Sequence, residues 1–362
     1  MSVQDQKKDI KNYIHTLNKS IIRLFRRALT ASGFSPAAWL FIARTIIRQY
    51  RAQRIRSGWE AEGFHVPPFM IASITKQCNL KCAGCYGKLR EKHHKPELSA
   101  DQWHEIFFQA RELGVSIILL AGGEPMMRPE IFSITSLFPD IIFPVFTNGL
   151  LWNEKKRRLF KSHKNLVPVV SLEGNESLTN ARRGEGVYQS VQNVLSDLKH
   201  LFGGVSITVT SENLQVVTHQ DFVARLCASG CRILFYVEYI PVEPGSEHLV
   251  PSPQQREDLA KRLAKLEKEY KAIFISFPGD EKQFGGCLAA GRGFVHINSS
   301  GDLEPCPFAP FSDTNVTQNS LKGALNSALL KEIRNSHDTL DESDGGCALW
   351  NKKEWVEDLL KQ

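Results

Sequence analysis

Three cysteines within eight residues, Cys78-Asn-Leu-Lys-Cys82-Ala-Gly-Cys85, constrain this chain more than any other stretch of it. Thiolates at that spacing can converge on one metal centre without help from distant sequence. A zinc finger, or an iron–sulfur centre with every iron protein-bound, calls for a fourth Cys or His at regular spacing. None stands in the compact run, and His93 and His94 lie beyond it in a Lys-rich stretch. The donor set describes a cluster with one iron left for a ligand that is not protein. The competing reading is a zinc loop, or three cysteines buried together by chance.

Strands and helices alternate downstream. Phe69–Thr75 reads as a short strand that delivers the cysteine loop. Ser99-Ala-Asp-Gln102 is a capping box opening a helix that turns Trp103, Ile106, Phe107 and Ala110 inward and stops at Gly114. A buried strand, Val115–Ala121, runs into Gly122-Gly123-Glu124-Pro125. Glycines let backbone approach a ligand closely, and a carboxylate suits an ammonium group. A third strand, Ile141–Phe146, ends in Thr147-Asn148-Gly149, and a fourth, Leu166–Leu172, leads to Glu173. Period-two geometry puts Ser171 and Glu173 on one side. Val205–Thr210 and Ile233–Ile240 supply the fifth and sixth strands, the former with Thr208 and Thr210 on one face, the latter with Tyr236 and Glu238.

The cysteine spacing, with Gly-Gly-Glu-Pro at the end of the second strand, resembles the radical S-adenosylmethionine (radical SAM) superfamily. The resemblance covers about Phe69 to Trp350 and implies a partial (β/α)6 parallel barrel with ligands at the strand C-termini. It implies that Cys78, Cys82 and Cys85 hold a 4Fe-4S cluster whose open iron is chelated by S-adenosylmethionine. Reductive cleavage of the sulfonium then releases a 5′-deoxyadenosyl radical that takes hydrogen from a substrate. Gly122, Gly123, Glu124 and Pro125 would hold the methionine amino group. Ser171 and Glu173 would lie by the ribose and methionine, and Arg183, before Gly184, would face the carboxylate. Tyr86, Thr147 and Asn148 complete the cofactor-binding set. One departure stands out: the family usually carries an aromatic residue just before the third cysteine, whereas here Gly84 precedes Cys85 and Tyr86 follows it. Tyr236 and Glu238 are candidate catalytic residues, because polar groups on a barrel strand need a reason to be buried; a Tyr–Glu hydrogen bond inside the core is the alternative. Cys227 and Cys231, one helical turn apart, read as small buried hydrophobes.

A second cysteine set follows a charged connector helix, Pro251 to Tyr270, and a turn at Phe277 to Asp280. Cys287, a strand over Gly293 to Asn298, a Gly301-Asp302 turn, Cys306, and Cys347 after Gly345-Gly346 resemble the SPASM/Twitch extension of radical SAM enzymes. That resemblance implies one auxiliary 4Fe-4S cluster, since too few cysteines remain for two. His337, Asp344, solvent or substrate would complete it; loss of the cluster, leaving three structural cysteines, is the alternative.

Apolar content of 42% and charged content of 23% belong to an ordinary globular chain. Residues 1–60 carry twelve Lys or Arg against three acids, although the whole chain is only +6. Ile10, Ile14, Leu17, Ile21, Leu24, Phe25 and Ala28 recur at helical spacing, and a second helix over Pro36 to Ser57 would show Trp39, Leu40, Ala43, Ile46, Ile47 and Tyr50 as its apolar stripe. Packing on the catalytic domain, contact with an anionic membrane and nucleic-acid binding compete, the last least favoured. The expected divisions are a basic helical extension (1–65), the barrel (66–250), a connector helix and strand (251–280) and a small α+β auxiliary-cluster domain (281–362). Eight cysteines without a secretory leader predict a cytoplasmic protein, peripheral to the inner membrane face if the extension binds lipid. Expected partners are a flavodoxin or ferredoxin and a peptide substrate. A lipid or other small molecule is the second reading, and a non-catalytic iron–sulfur carrier the reading from another class.

Overall fold

Runs of β-branched and aromatic residues, most of them alternating with helices, build one open, mostly parallel sheet. The computed structural model describes residues 36–87, 95–277, 286–336, 340 and 347–361, with 19, 21–23, 26 and 27 of the leader. The sheet comprises β1 (Phe69–Thr75), β2 (Ile117–Gly122), β3 (Phe143–Thr147), β4 (Leu166–Leu172), β5 (Gly204–Val209), β6 (Ile233–Glu238), β7 (Ile273–Phe277), β8 (Phe294–Ile297) and β9 (Leu303–Glu304). Its order is β7-β6-β5-β4-β3-β2-β1-β8-β9, and every neighbouring pair is parallel except β8–β9. The α/β partial barrel expected from the sequence is present.

The capping box is present as read: Ser99 Oγ accepts from the Gln102 amide at 3.2 Å, and Gln102 Oε1 accepts from the Ser99 amide at 2.8 Å. It starts the helix Ala100–Leu113, which buries Trp103, Ile106, Phe107 and Ala110 and ends at Gly114 with φ 89°.

Two features extend the expected six strands. The strand of the connector is β7, paired with β6 over Ile233↔Ile273 to Val237↔Phe277. On the other side β8 pairs with β1, Phe69↔Phe294 to Ala72↔Ile297, so the sheet runs across the boundaries expected at 250 and 280. The outer face packs under helices through residues such as Ile118, Leu120, Leu172, Ile207 and Leu234. The inner face carries Ile117, Val167, Val169, Ile233 and Ile273.

The helix α1 (Pro36–Ala61) lies across the N-terminal end of the barrel. Its buried positions are Ile42, Thr45, Gln49 and Arg56, while Leu40, Ala43, Ile47 and Tyr50 of the expected stripe are exposed. The reason is polar. Carbonyls before the strands need donors, and α1 supplies them: Arg48 Nη1 to Pro139 O at 2.6 Å, Gln49 Nε2 to Ser116 O at 3.5 Å, and Arg56 Nη1 to Gly114 O at 2.6 Å. Among the described residues no helix is long and apolar enough to cross a membrane. Most of the first leader helix, with Ile10, Ile14, Leu17, Leu24, Phe25 and Ala28, lies outside the described residues, as do His93, His94, His337, Asp344, Gly345 and Gly346.

Candidate active site

The cysteine loop leaves the C-terminal end of β1 and is braced by the end of β2. The Gly123 amide donates to Thr75 O and the Glu124 amide to Gln77 O, each at 2.8 Å. A Cβ on Gly122 would collide with Thr75 O, and one on Gly123 with Gln77 O. Gly122 also has φ 123°, a conformation L side chains rarely adopt. Both glycines are therefore demanded by backbone packing against the start of the cysteine loop. Pro125 is buried at the start of the turn that follows.

The protein already engages both oxygens of Glu124. Its carboxylate, 1% exposed, accepts from the Met126 amide at 2.9 Å, Thr147 Oγ1 at 2.8 Å and the Asn148 amide at 2.7 Å. Burial pushes its pKa up, and these donors pull against that shift. The acid staples β2 to β3 with those contacts. Asn148 is tied in turn to the cysteine loop, donating to Asn79 Oδ1 at 2.7 Å and lying 4.0 Å from Cys78 Sγ. A further clamp that sequence reasoning missed holds the loop's base: Glu97 accepts from Thr75 Oγ1, the Lys76 amide and Arg128.

Ser171 and Glu173 do share the inner face. The Ser171 hydroxyl is half-buried and has no protein partner among the described residues. Glu173 Oε1 accepts from Arg182 Nη1 at 2.7 Å and Arg183 Nε at 2.7 Å, while Glu173 Oε2 is buried and unpartnered. Arg182 also donates to Thr208 Oγ1 at 3.0 Å. Two guanidiniums on one carboxylate leave a positive charge in excess, a natural seat for an anion. Arg182, whose burial works to lower its pKa, is held up by the adjacent Glu173. It belongs to the site, although the motif pointed only to Arg183. The Ala83 amide donates to Arg182 O at 2.9 Å, coupling this cation pair to the cysteine loop.

Burial raises the Cys78 and Cys82 thiols, and for Cys82 the Arg183 and Arg182 charges pull the other way. Such thiols stay protonated until a metal displaces the proton. Cys287, Cys306 and Cys347 come from three separate segments and are all buried. Burial, then hydrogen bonding with Cys347 and the nearby Cys287, keeps the Cys306 thiol well above its ordinary value. Among the described residues no three His, Cys, Asp or Glu side chains close round a single ion. Thiolates are the ligands of iron–sulfur clusters, and each of the two sets offers three cysteines. Tyr86 packs edge-on to Phe308 at 5.4 Å, between the two cysteine loops.

Tyr236 and Glu238 require correction. Both point away from the lumen: the Tyr236 hydroxyl donates to Val217 O at 3.0 Å inside the helical layer, and Glu238 pairs with Arg256 at 2.7 Å. Strand phase decides this, because Ile233, packed on the inner face, puts the odd positions of β6 inward. Cys231 lies in the same outer core and Cys227 packs against it, as expected of small hydrophobes. Sequence reasoning also missed a buried chain on the lumen side, in which Ser73 Oγ meets His296 Nε2 at 2.7 Å and His296 Nδ1 meets Glu304 Oε2 at 2.7 Å. Neither His296 nor Glu304 stands in a recognisable motif.

The family model for the Radical SAM superfamily matches residues 72–226. An AdoMet-dependent heme synthase of Methanosarcina barkeri is 23% identical over 80% of this chain and 90% of that protein. A probable GTP 3′,8-cyclase of Methanococcus maripaludis is 30% identical over 65% and 83% of the two chains. A PqqA peptide cyclase of Rhizobium meliloti is 25% identical over 71% and 73%. Among solved structures, Streptococcus suis SuiB bound to the precursor peptide SuiA superposes with a TM-score of 0.63 at 16% identity, covering 87% of this chain and 75% of that one.

Proposed function

The chain belongs to the radical SAM superfamily, and from that membership we propose that it is a peptide-modifying radical SAM enzyme with one auxiliary cluster. When bound, the 4Fe-4S cluster and S-adenosylmethionine supply reductive cleavage of the sulfonium and a 5′-deoxyadenosyl radical that removes hydrogen from an unactivated carbon. Cys78, Cys82 and Cys85 would hold that cluster, and Cys287, Cys306 and Cys347 the auxiliary one. Arg182 and Arg183, in excess over Glu173, attract a carboxylate, and the Ser171 hydroxyl offers a lumen-facing hydrogen bond. Thr147 and Asn148 hold Glu124 and the cysteine loop in register. Phe146 and Phe235 meet across the lumen at 5.1 Å and give it an apolar wall. A flavodoxin or ferredoxin would donate the electron.

The observation that carries the peptide reading is the second cysteine set beside β9, on a sheet edge continuous with the barrel. The likeness to a peptide cyclase in sequence, and in fold to a protein solved with its precursor peptide, supports it. Anaerobic reconstitution followed by dithionite and S-adenosylmethionine should yield 5′-deoxyadenosine; none would leave only an iron–sulfur carrier. Mass spectrometry of short peptides encoded beside the gene should then show one whose mass changes on incubation. Cofactor turnover with every such peptide unmodified would remove the peptide assignment.

A lipid or other small molecule at a membrane surface is the second reading, favoured by the exposed Leu40, Ala43, Ile47 and Tyr50 of α1 beside Arg44, Arg51 and Arg54. Flotation with anionic liposomes, with and without residues 1–60, tests it; identical behaviour removes it.

A further inference from the structure

The helix Glu154–Ser162, which follows β3, takes no part in the site described above. Residues 153–164 hold six Lys or Arg against one acid, although the chain beyond residue 60 is slightly acidic as a whole. Phe160 turns inward to the outer core, while Lys155, Arg158 and Lys161 recur at three-residue spacing along the exposed side, with Lys164 just past the helix end. Glu154 accepts from Arg157 Nε at 2.7 Å and from Arg158 Nε at 2.8 Å, so one negative charge answers two positive ones. Lys155, Lys161 and Lys164 form no ion pair among the described residues. Like charges crowded on one short helix repel, a cost that a partner of opposite charge would offset.

This basic face adjoins the first cysteine set. Leu80, between Cys78 and Cys82, packs on the same core cluster as Leu150 and Trp152, the residues that lead into the helix. Asn148 donates to Asn79 at 2.7 Å, and Lys156 stands near Glu124: burial lowers the lysine's pKa and that carboxylate pulls it back up. The auxiliary cysteines stand on the other flank, Cys306 following β9 beyond β1 and β8. We propose that this face docks the electron carrier that reduces the first cluster, a protein with a negatively charged surface round its redox group. This rests on the cofactor reading above. One electron leaves the carrier, which is oxidised by one, and arrives on the cluster, which is reduced by one; no bond or proton moves. Opposite charge steers such a carrier to the patch and brings its redox group beside the cysteine loop. A substrate with an acidic segment would feel the same charge, but its reacting group has to enter the lumen, and the helix lies outside the barrel.

The test uses the anaerobically reconstituted full chain and a purified flavodoxin. In the variant, Lys155→Glu, Arg158→Glu and Lys161→Glu together reverse the face. Titration of the flavin fluorescence at low salt should show the variant binding about tenfold more weakly than wild type, and wild-type binding should weaken as salt rises. Formation of 5′-deoxyadenosine driven by reduced flavodoxin should fall by the same factor, whereas formation driven by saturating dithionite, and the iron content, should match wild type. Equal flavodoxin binding by the two proteins overturns the proposal. So does wild type that turns over with dithionite but neither binds flavodoxin nor takes its electron. A loss with both reductants would make the helix a structural part and overturn it as well. A polyglutamate peptide that distinguishes the two proteins while flavodoxin does not would hand the patch to an acidic substrate segment. Wild-type holoprotein that makes no 5′-deoxyadenosine even with dithionite removes the cofactor reading and this inference together; the other adverse results remove this inference alone.

Discussion

At the scale of single residues, Glu173 shows why a motif names only part of a site. Arg183 came from its place before Gly184, but the carboxylate takes Arg182 as well, because the last turn of the helix Glu176–Arg183 brings both guanidiniums over β4. Arg182→Met should cost about 3 kcal/mol in urea unfolding, since it leaves a buried carboxylate with half its partners. The variant should also take up iron more slowly, because a charge that lowers the Cys82 thiol is gone. Cys231 gives a second residue-scale prediction. Burial pushes its thiol from 9.0 to about 12. The folded chain holds this proton to higher pH than the unfolded one, so the stability contribution is whole below pH 9.0 and is lost as pH rises toward about 12. Cys231→Ala should flatten the alkaline decline of unfolding free energy over that window. An equally steep decline in both proteins would contradict the assignment.

Elements are joined by polar contacts that no periodicity reveals. The strand β8 adds to β1 through backbone pairing, and the Ser73–His296–Glu304 chain locks the join from the lumen side, with Asn298 Nδ2 donating to Glu304 Oε1 at 2.8 Å. His296→Ala would take one partner from the buried Glu304 carboxylate, leaving Asn298 on its other oxygen, and should cost about 3 kcal/mol. Hydrogen exchange should quicken in β8 and β9 while β4 to β6 keep their protection; uniform quickening would mean that the contact stabilises the whole sheet instead of this join. The same lesson applies to α1. Leu40, Ala43, Ile47 and Tyr50 of its expected apolar stripe point outward while Arg48, Gln49 and Arg56 reach inward, because the end of a barrel offers carbonyls.

Across the whole molecule, two cysteine sets belong to one continuous sheet: Cys78, Cys82 and Cys85 follow β1, and Cys306 follows β9, two strands away. Reconstituted protein should hold about eight irons per chain, two cubanes of four. Cys347→Ala should hold about four, with cofactor binding intact. Iron removal should lower the unfolding temperature, since clusters bind the native state alone. A chain holding about four irons with and without Cys347 would dismiss the auxiliary cluster and leave the first untouched.

The strands β1 to β6, the capping box at Ser99, the Cys78–Cys85 loop and the inward Ser171 and Glu173 were legible because each is written in local spacing: alternation, a cap three residues from its partner, thiols a few residues apart. The inner and outer faces of β6, the Glu124 staple, Arg182, the His296 chain and the buried face of α1 were decided by tertiary structure alone. Each depends on which distant backbone or side chain arrives opposite, and a buried polar atom takes whatever partner the packing brings within 3 Å or so, not the one its neighbours in sequence suggest.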